Sequence, residues 1–512
     1  MNAKEYHMSK NEEINAVKDD PHDLTRGAIV KKLLLFALPI IAGNIVQQLY
    51  NVVDTIVVGN YAANGTQCIA AVSVAFPAMM LFNCLFMGLG MGSNIIIAQK
   101  RGAGDIDALN RAITSSVALN IFAGAIITVL GLMFGRNILE LLNTPADIID
   151  DATIYLKIVM VGTIGNMIYN CCNGLVRGMG DSKWSFYALL ISSVINIVFD
   201  VLFVAVFHWD VAGVAIATTM SHIISGAILF IRIAKGKYPG KILLNRVFKV
   251  DSDILSGVLK LGVPSSLQSA ASSLGNMLIQ TYTNTFGTMY IAAHSIALKV
   301  DGFAIMPLMG LGMAVTTFVG QNIGANKDER AASGVRSASI MVISFGILLG
   351  IVLSNFGVAI MRMFTDDEVV LTMAQAGLKV LALSYCFMGM QNIWGGSMRG
   401  CGSATAPAVV ALITTFLRIP ISYFMAVKPL RAMADAAVAA GEFATRELAI
   451  NAGVGVVENQ LGMYWGQAGT VMIGAVLIGL YYFFGNWKAK AIRFSAPTAE
   501  SEEAPAETEQ AE

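Results

Sequence analysis

"IAAVSVAFPAMMLFNCLFMGLGMG" (69–92) returns as "IAAHSIALKVDGFAIMPLMGLGMA" (291–314), an offset of 222 residues. The same offset pairs Gln99 with Gln321, Gly102-Ala103 with Gly324-Ala325, Phe134-Gly135 with Phe356-Gly357 and Leu156-Lys157 with Leu378-Lys379. It also pairs "VRGMG" (176–180) with "MRGCG" (398–402). Toward the N-terminus the offset becomes 225, matching Pro39 with Pro264 and Asn51 with Asn276. A spacing held over hundreds of residues marks a duplicated structural unit.

Composition says what kind of unit this is. The 512 residues are 55% hydrophobic and 13% charged, with a mean hydropathy of +0.64. Soluble domains carry about 25% charged residues, so a soluble enzyme of this length is excluded. Apolar runs long enough to cross roughly 30 Å of hydrocarbon recur throughout. They predict twelve spans: 33–57, 69–98, 112–134, 152–175, 185–207, 211–233, 257–283, 291–322, 335–355, 371–397, 404–427 and 463–486. Six per repeat is an even number, so both halves enter the membrane in the same orientation. The expected fold is an all-α polytopic membrane protein of two six-helix bundles, related by a pseudo-twofold axis along the membrane normal, as in transporters built from parallel repeats.

Loop charge orients the chain. Basic residues gather on alternate loops: Lys31-Lys32, Lys100-Arg101, Arg177 and Lys183, Arg232 to Lys260, Lys327 to Arg336, Arg399, and Lys488 to Arg493. The loops near 60–67, 208–210 and 284–290 have no Lys or Arg. The positive-inside rule places both termini in the cytoplasm. The expected organisation is a cytoplasmic N-terminal segment (1–30), an N-lobe (31–233, spans 1–6), a cytoplasmic linker (234–256), a C-lobe (257–490, spans 7–12) and a disordered acidic tail (491–512). Within the C-lobe, 428–462 is expected to form an extracellular insertion with an amphipathic surface helix. Residues 1–30 lack the apolar core of a signal peptide, so the first span is expected to direct insertion.

The polar residues inside these spans are the candidates for function. Asn44, Gln47, Asn51 and Asp54 follow one another at +3, +4 and +3, a stripe along one helix face. A carboxylate at mid-membrane costs ~2.5–3.5 kcal/mol on insertion scales, and such groups face a bundle interior or water. Asn196 and Asp200 share a face of the fifth span. The fourth carries Tyr155, Asn166, Tyr169, Asn170 and Asn173, and the sixth offers Thr218 and Thr219. Two carboxylates brought close in low dielectric raise one another's proton affinity, and the same oxygens are able to ligate Na⁺, so H⁺ and Na⁺ both stay open. Single asparagines read as interhelical glue, whereas the pair Asp54 and Asp200 reads as functional.

The second repeat does not copy this set: Asp54 maps to Ile279, Asn196 to Arg418 and Asp200 to Ser422. It has its own charges in Lys299, Asp301 and Arg418, with an Asp301–Arg418 contact either a structural ion pair or a substrate contact. Arg177 and Arg399 in the paired "RG.G" turns read as structural. No phosphate-binding G-x-x-x-x-G-K-[ST] occurs, no nucleophile–base pair stands out, and the zero net charge does not suggest nucleic acid. A non-enzymatic carrier driven by an ion gradient, with no cofactor and expected as a monomer, is the reading that remains.

Five stretches add a resemblance: "VDTIVVG" (53–59), "GLVRGMGDSKWS" (174–185), "NIVFDVLF" (196–203), "VAGVAIATTMS" (211–221) and "GMAVTTFVGQNIGA" (312–325). In this order, on a six-plus-six repeat, the chain resembles the multidrug and toxic compound extrusion (MATE) transporters from about residue 28 to 490. The resemblance implies cation-coupled export of amphipathic, often cationic, compounds across the plasma (inner) membrane. It implies that Asp54, Asn170, Asn196, Asp200 and Thr218, with Tyr155 alongside, form an N-lobe ion and protonation network. Na⁺, if used, would sit at Asp54, Asp200 and Asn196. Helix 7 offers Gln268 and Gln280 but no acid, which is nearer the DinF-like branch than NorM-type members. A substrate cavity is expected to involve Gln47, Asn51, Asn173, Gln268, Asn276, Gln280, Asp301 and Arg418. The alternative is a flippase or exporter of a lipid-linked or polar metabolite on a related fold. That alternative calls for several cavity cations, of which only Lys299 and Arg418 qualify.

Overall fold

The computed structural model describes residues 20–61, 65–141, 144, 148–243, 245, 251–488 and 492–493. Side chains at 50–52, 54–61, 65–73, 76–78, 81 and 141 lie outside the described set, which takes in Asn51 and Asp54. The described residues form fifteen α-helices and no strand. The first lobe holds α1 (Ile29–Tyr61), α2 (Gly65–Ala103), α3 (Ile106–Leu141), α4 (Ile149–Gly178), α5 (Ser182–Asp200) and α6 (Asp210–Ala234). The second holds α7 (Ser252–Thr283), α8 (Thr288–Gly324), α9 (Asp328–Met361), α10 (Glu368–Ala382), α11 (Tyr385–Gly400), α12 (Thr405–Ser422), α13 (Lys428–Ala439), α14 (Arg446–Asn451) and α15 (Val456–Phe484).

Ten stretches are long and apolar enough to cross a membrane, and α10–α11, bent by 44°, forms an eleventh as a pair. The twelfth predicted position is α7, whose serines and amides dilute its hydropathy and which packs against α2 and α12. The twelve expected spans therefore all coincide with helix. The segment 428–462 differs from a free-standing insertion. A π-helical stretch (Tyr423–Val427) carries α12 directly into α13, and α14 then folds back, clasped by Arg446 to Asp435 at 2.6 and 2.9 Å. Leu430, Ala434, Ala437, Ala449 and Ile450 are its buried face. A matching π-helical stretch (Val201–Val206) follows Asp200 one repeat earlier. Such π turns recur at functional sites, because they re-aim the residues around them.

The lobes meet through α2 against α7, and α1 against α8. At the basic end the contact reproduces the repeat atom for atom. Gln99 donates to the carbonyl of Gly400 at 2.9 Å, and its repeat partner Gln321 donates to the carbonyl of Gly178 at 2.9 Å. A Cβ on Gly102 would collide with the Gln321 carbonyl, and one on Gly324 with the Gln99 carbonyl. Only glycine lets these two helix ends cross so closely. The segment before α1 straps this junction. Leu24 is buried, donates its N–H to Gln321 Oε1 at 3.0 Å, and accepts from Asn322 Nδ2 at 3.3 Å. Lys327 holds the Thr25 carbonyl at 3.0 Å and Arg330 that of Gly27 at 2.8 Å, while Asp20 pairs with Arg101 of the first lobe.

The "RG.G" turns meet the described segments at both ends of the chain here. Gly180 (φ +91°) and Gly402 (φ +94°) lie in the left-handed region, and a Cβ on either would collide with the carbonyl of His22 or Ile492 respectively. Beside Gly180, buried Asp181 caps α5 by accepting from Trp184 N at 3.1 Å. The same carboxylate accepts from the Tyr238 hydroxyl at 2.8 Å and faces Arg232 at 3.8 Å. Burial, and then the neighbouring Asp181 charge, push the Tyr238 hydroxyl above its ordinary pKa, so it stays a neutral donor.

Two outcomes follow from these contacts. Gly102→Val and Gly324→Val should each lower the apparent melting temperature of the purified protein, corresponding to about 1–3 kcal/mol or more of overpacking. Gly469→Ala, at a helical glycine with nothing near its absent Cβ, should hold the temperature or raise it slightly. Asp181→Ala should cost ~2–4 kcal/mol, because it removes a cap and strands Arg232 and Tyr238, and the same melting experiment reads it.

Candidate functional site

In the first lobe, α5 presents Asn196 and Asp200 one turn apart, both buried. Turned so that both ends of its amide are satisfied, Asn196 donates to Asp200 Oδ2 at 2.7 Å and accepts from Thr218 N at 3.3 Å. Asp200, Asn196 and Thr218 therefore form one bonded unit linking α5 to α6. Tyr155, buried at the start of α4, packs in a cluster with Val204, Val211 and Val214, against the π turn that follows Asp200. Helix α1, which carries Asp54, runs along α5 and that π turn.

Other candidates fall elsewhere. Asn170 donates to Asn166 Oδ1 at 2.7 Å, and Asn166 to Asn83 Oδ1 at 3.1 Å, an amide ladder that joins α4 to α2. Asn173 accepts from Ser185, holding α4 to α5. Gln47 is half-buried on α1. His222, which no spacing singled out, lies against Tyr169 with ring centroids 5.7 Å apart.

The second lobe holds a cavity of about 320 Å³. Gln268, Asn276, Asp301 and Arg418 all line it, as do Tyr385, Arg399 and Gln467. Of the two readings of an Asp301–Arg418 contact, the structural ion pair is not formed. Asp301 instead accepts from the Tyr385 hydroxyl at 3.0 Å. Arg418 donates to Asn276 Oδ1 at 3.0 Å and to Gln467 Oε1 at 2.8 Å. Gln280 lies outside, exposed and bonded to Asn284 at 2.9 Å. Lys299 also turns away, its ammonium 5.6 Å over the Phe364 ring. Arg399, which reads from the sequence as a turn residue, enters the cavity and reaches Gln268 Oε1 at 3.4 Å. The one available signal was a single charge in the last turn of α11, whose other residues are neutral.

The duplicated fold has known relatives. The MatE family model matches residues 39–202 and again 264–424, the two units related by offsets of 225 and 222. The chain belongs to the MatE family. A MatE relative from Bacillus subtilis (strain 168), "Probable multidrug resistance protein YoeA", is 28% identical over 408 residues, covering 78% of this chain and 88% of its own. "Multidrug export protein MepA" of Staphylococcus aureus (strain NCTC 8325 / PS 47) is 23% identical over 404 residues, 78% of this chain and 88% of its own. Among solved structures, "Crystal structure of MATE in complex with MaL6" superposes with a TM-score of 0.79 at 22% identity, covering 91% of this chain and 98% of that one. MatE membership and the apolar helices make this a multi-pass membrane protein, and the two-lobe fold is that of MATE transporters.

Tyr385 sets up the second lobe's only carboxylate in the cavity lining. Tyr385→Phe should leave Asp301 buried without its donor, at a cost of about 1–3 kcal/mol. A lower melting temperature for Tyr385→Phe than for the unmodified protein, largely restored in Tyr385→Phe/Asp301→Asn, would show it.

Proposed function

We propose that the chain is a secondary active efflux transporter of the plasma membrane, with both termini cytoplasmic. In this reading it exports amphipathic, cationic organic compounds in exchange for an ion, as a monomer and without a cofactor. The observation that carries the reading is the buried Asp200–Asn196–Thr218 unit, present in one lobe and replaced in the other by Ser422 and Arg418. A carboxylate held in a low-dielectric interior changes its interactions sharply when it gains a proton or cation. Such a group is able to bias two arrangements of the lobes.

Of the two coupling ions we take H⁺, because an interior of low dielectric favours the neutral, protonated form of a carboxylate. In the proposed cycle the lobes are joined at the basic, cytoplasmic end, as here, while protons arriving from outside neutralise Asp200 and Asp54 and drug leaves. Loss of the two charges favours the opposite arrangement, which breaks the Gln99 and Gln321 bonds and opens the cytoplasmic side. There the protons depart and the carboxylates attract the next cation. One charge moved across roughly 150 mV supplies ~3.5 kcal/mol, enough to sustain a gradient of roughly 300-fold.

Transport of a fluorescent organic cation into inside-out vesicles tests this. Uphill uptake should follow an imposed pH gradient, be indifferent to Na⁺, and fall by about tenfold or more in Asp54→Asn and Asp200→Asn. Full gradient-driven uptake in Asp200→Asn would sink the proposal. Uptake that follows Na⁺ would keep the site and overturn the choice of ion.

A further inference from the structure

The charges of the second-lobe cavity do not suit a cation. Its lining contains two guanidinium groups, Arg399 and Arg418, and one carboxylate, Asp301. That carboxylate is taken by Tyr385, while Arg418 is held by the neutral amides of Asn276 and Gln467. Arg399 likewise meets a neutral amide, that of Gln268. The Nε–H groups of both arginines are buried and have no hydrogen-bond partner. A buried charge without a counter-ion is costly. Two guanidinium groups against one carboxylate leave the lining with an excess of positive charge, and Arg418, which feels the Asp301 charge without bonding to it and is positioned by two neutral amides, has the arrangement of a site that receives a further counter-ion from outside. The planar guanidinium fork matches the two oxygens of a carboxylate or phosphate.

We infer that this cavity binds a small organic oxyanion, its carboxylate or phosphate on Arg418, with Arg399 adding positive charge to the same lining, and its apolar body along Ile305, Met309 and Ile478. The volume of about 320 Å³ sets the size. It lies at the lower end of the ~300–1,000 Å³ range of small-molecule pockets, which suits a single substituted ring. The repeat shows that Arg418 is specific to this lobe, since its partner is Asn196, whereas Arg399 has an arginine partner in Arg177. At the position of Asn196 and Arg418 the two lobes thus differ in polarity, an acid beside amides in one and a guanidinium beside amides in the other. This site goes beyond cation export, which draws on the acidic lobe.

Equilibrium binding of radiolabelled benzoate and of radiolabelled phenyl phosphate to the full-length protein in lipid nanodiscs tests the inference and separates the two headgroups. Saturable binding of either anion is expected. Arg418→Met should weaken it by about tenfold or more, and Arg399→Met, and Arg418→Lys, which keeps the charge but loses the fork, by less. Asp301→Asn, which removes the competing negative charge, should tighten it. No saturable binding of either anion would overturn the inference. So would unchanged affinity in Arg418→Met, or weaker anion binding in Asp301→Asn. Arg418→Lys guards against loss of folding in Arg418→Met. No ion gradient enters the measurement, so a failure of cation export would leave the anion site standing, and the reverse holds equally.

Discussion

Two hydrogen bonds of equal length, Gln99 to Gly400 and Gln321 to Gly178, hold the lobes together at the basic end. Each glutamine reaches across the pseudo-twofold axis to the last turn of the other lobe's helix, and Gly102 and Gly324 let the two backbones come close enough. Both chain ends gather on the same junction, Leu24 on Gln321 and Ile492 on Gly402. Small residues and side-chain amides are what membrane helices have for association, since lipid offers no hydrophobic drive between them. The junction is therefore strong in geometry and modest in energy. Amide bonds of this kind are worth about 1 kcal/mol each in membranes, which a single coupled ion is able to overcome.

The same duplication that makes the junction symmetric leaves the two interiors free to differ. A repeat needs its glycines and crossing points in both copies, because each fixes where helices touch. Polar residues facing the bundle interior carry no such duty. Position 200 is an aspartate and its partner, position 422, a serine; position 196 is an asparagine and its partner, position 418, an arginine. The π turn after each of these pairs is retained. Backbone geometry persists, then, while the charge presented at that depth has been exchanged.

Much of the fold was legible in the residues. Apolar length gave the twelve spans, and the offset gave the two lobes. The least apolar of these spans, α7, has serines and amides that dilute its hydropathy, yet it runs as one helix of full length. The grouping of Asn196 with Asp200 followed from helical periodicity on a single helix. Less legible were contacts that depend on how helices rotate against one another. Asn170 shares a face with Asn166 and bonds to it, rather than to Asp200. Gln280 lies one turn along α7 from Asn276, yet one is outside the cavity and the other lines it. Periodicity assigns residues to a face, but not the neighbour which that face meets.

The sequence by itself determined that the chain is a duplicated membrane protein, where its helices run, which end is basic, and that one repeat holds acids the other lacks. These are properties of composition and spacing, set by the thickness of the bilayer and the pitch of a helix. Only the tertiary structure decided that Arg399 turns inward beside Arg418, that Asp301 bonds Tyr385 rather than an arginine, and that Gln99 and Gln321 exchange lobes. Those outcomes depend on the distance and rotation between helices distant in the chain. Close packing of many side chains sets both at once, and no single stretch of sequence contains them.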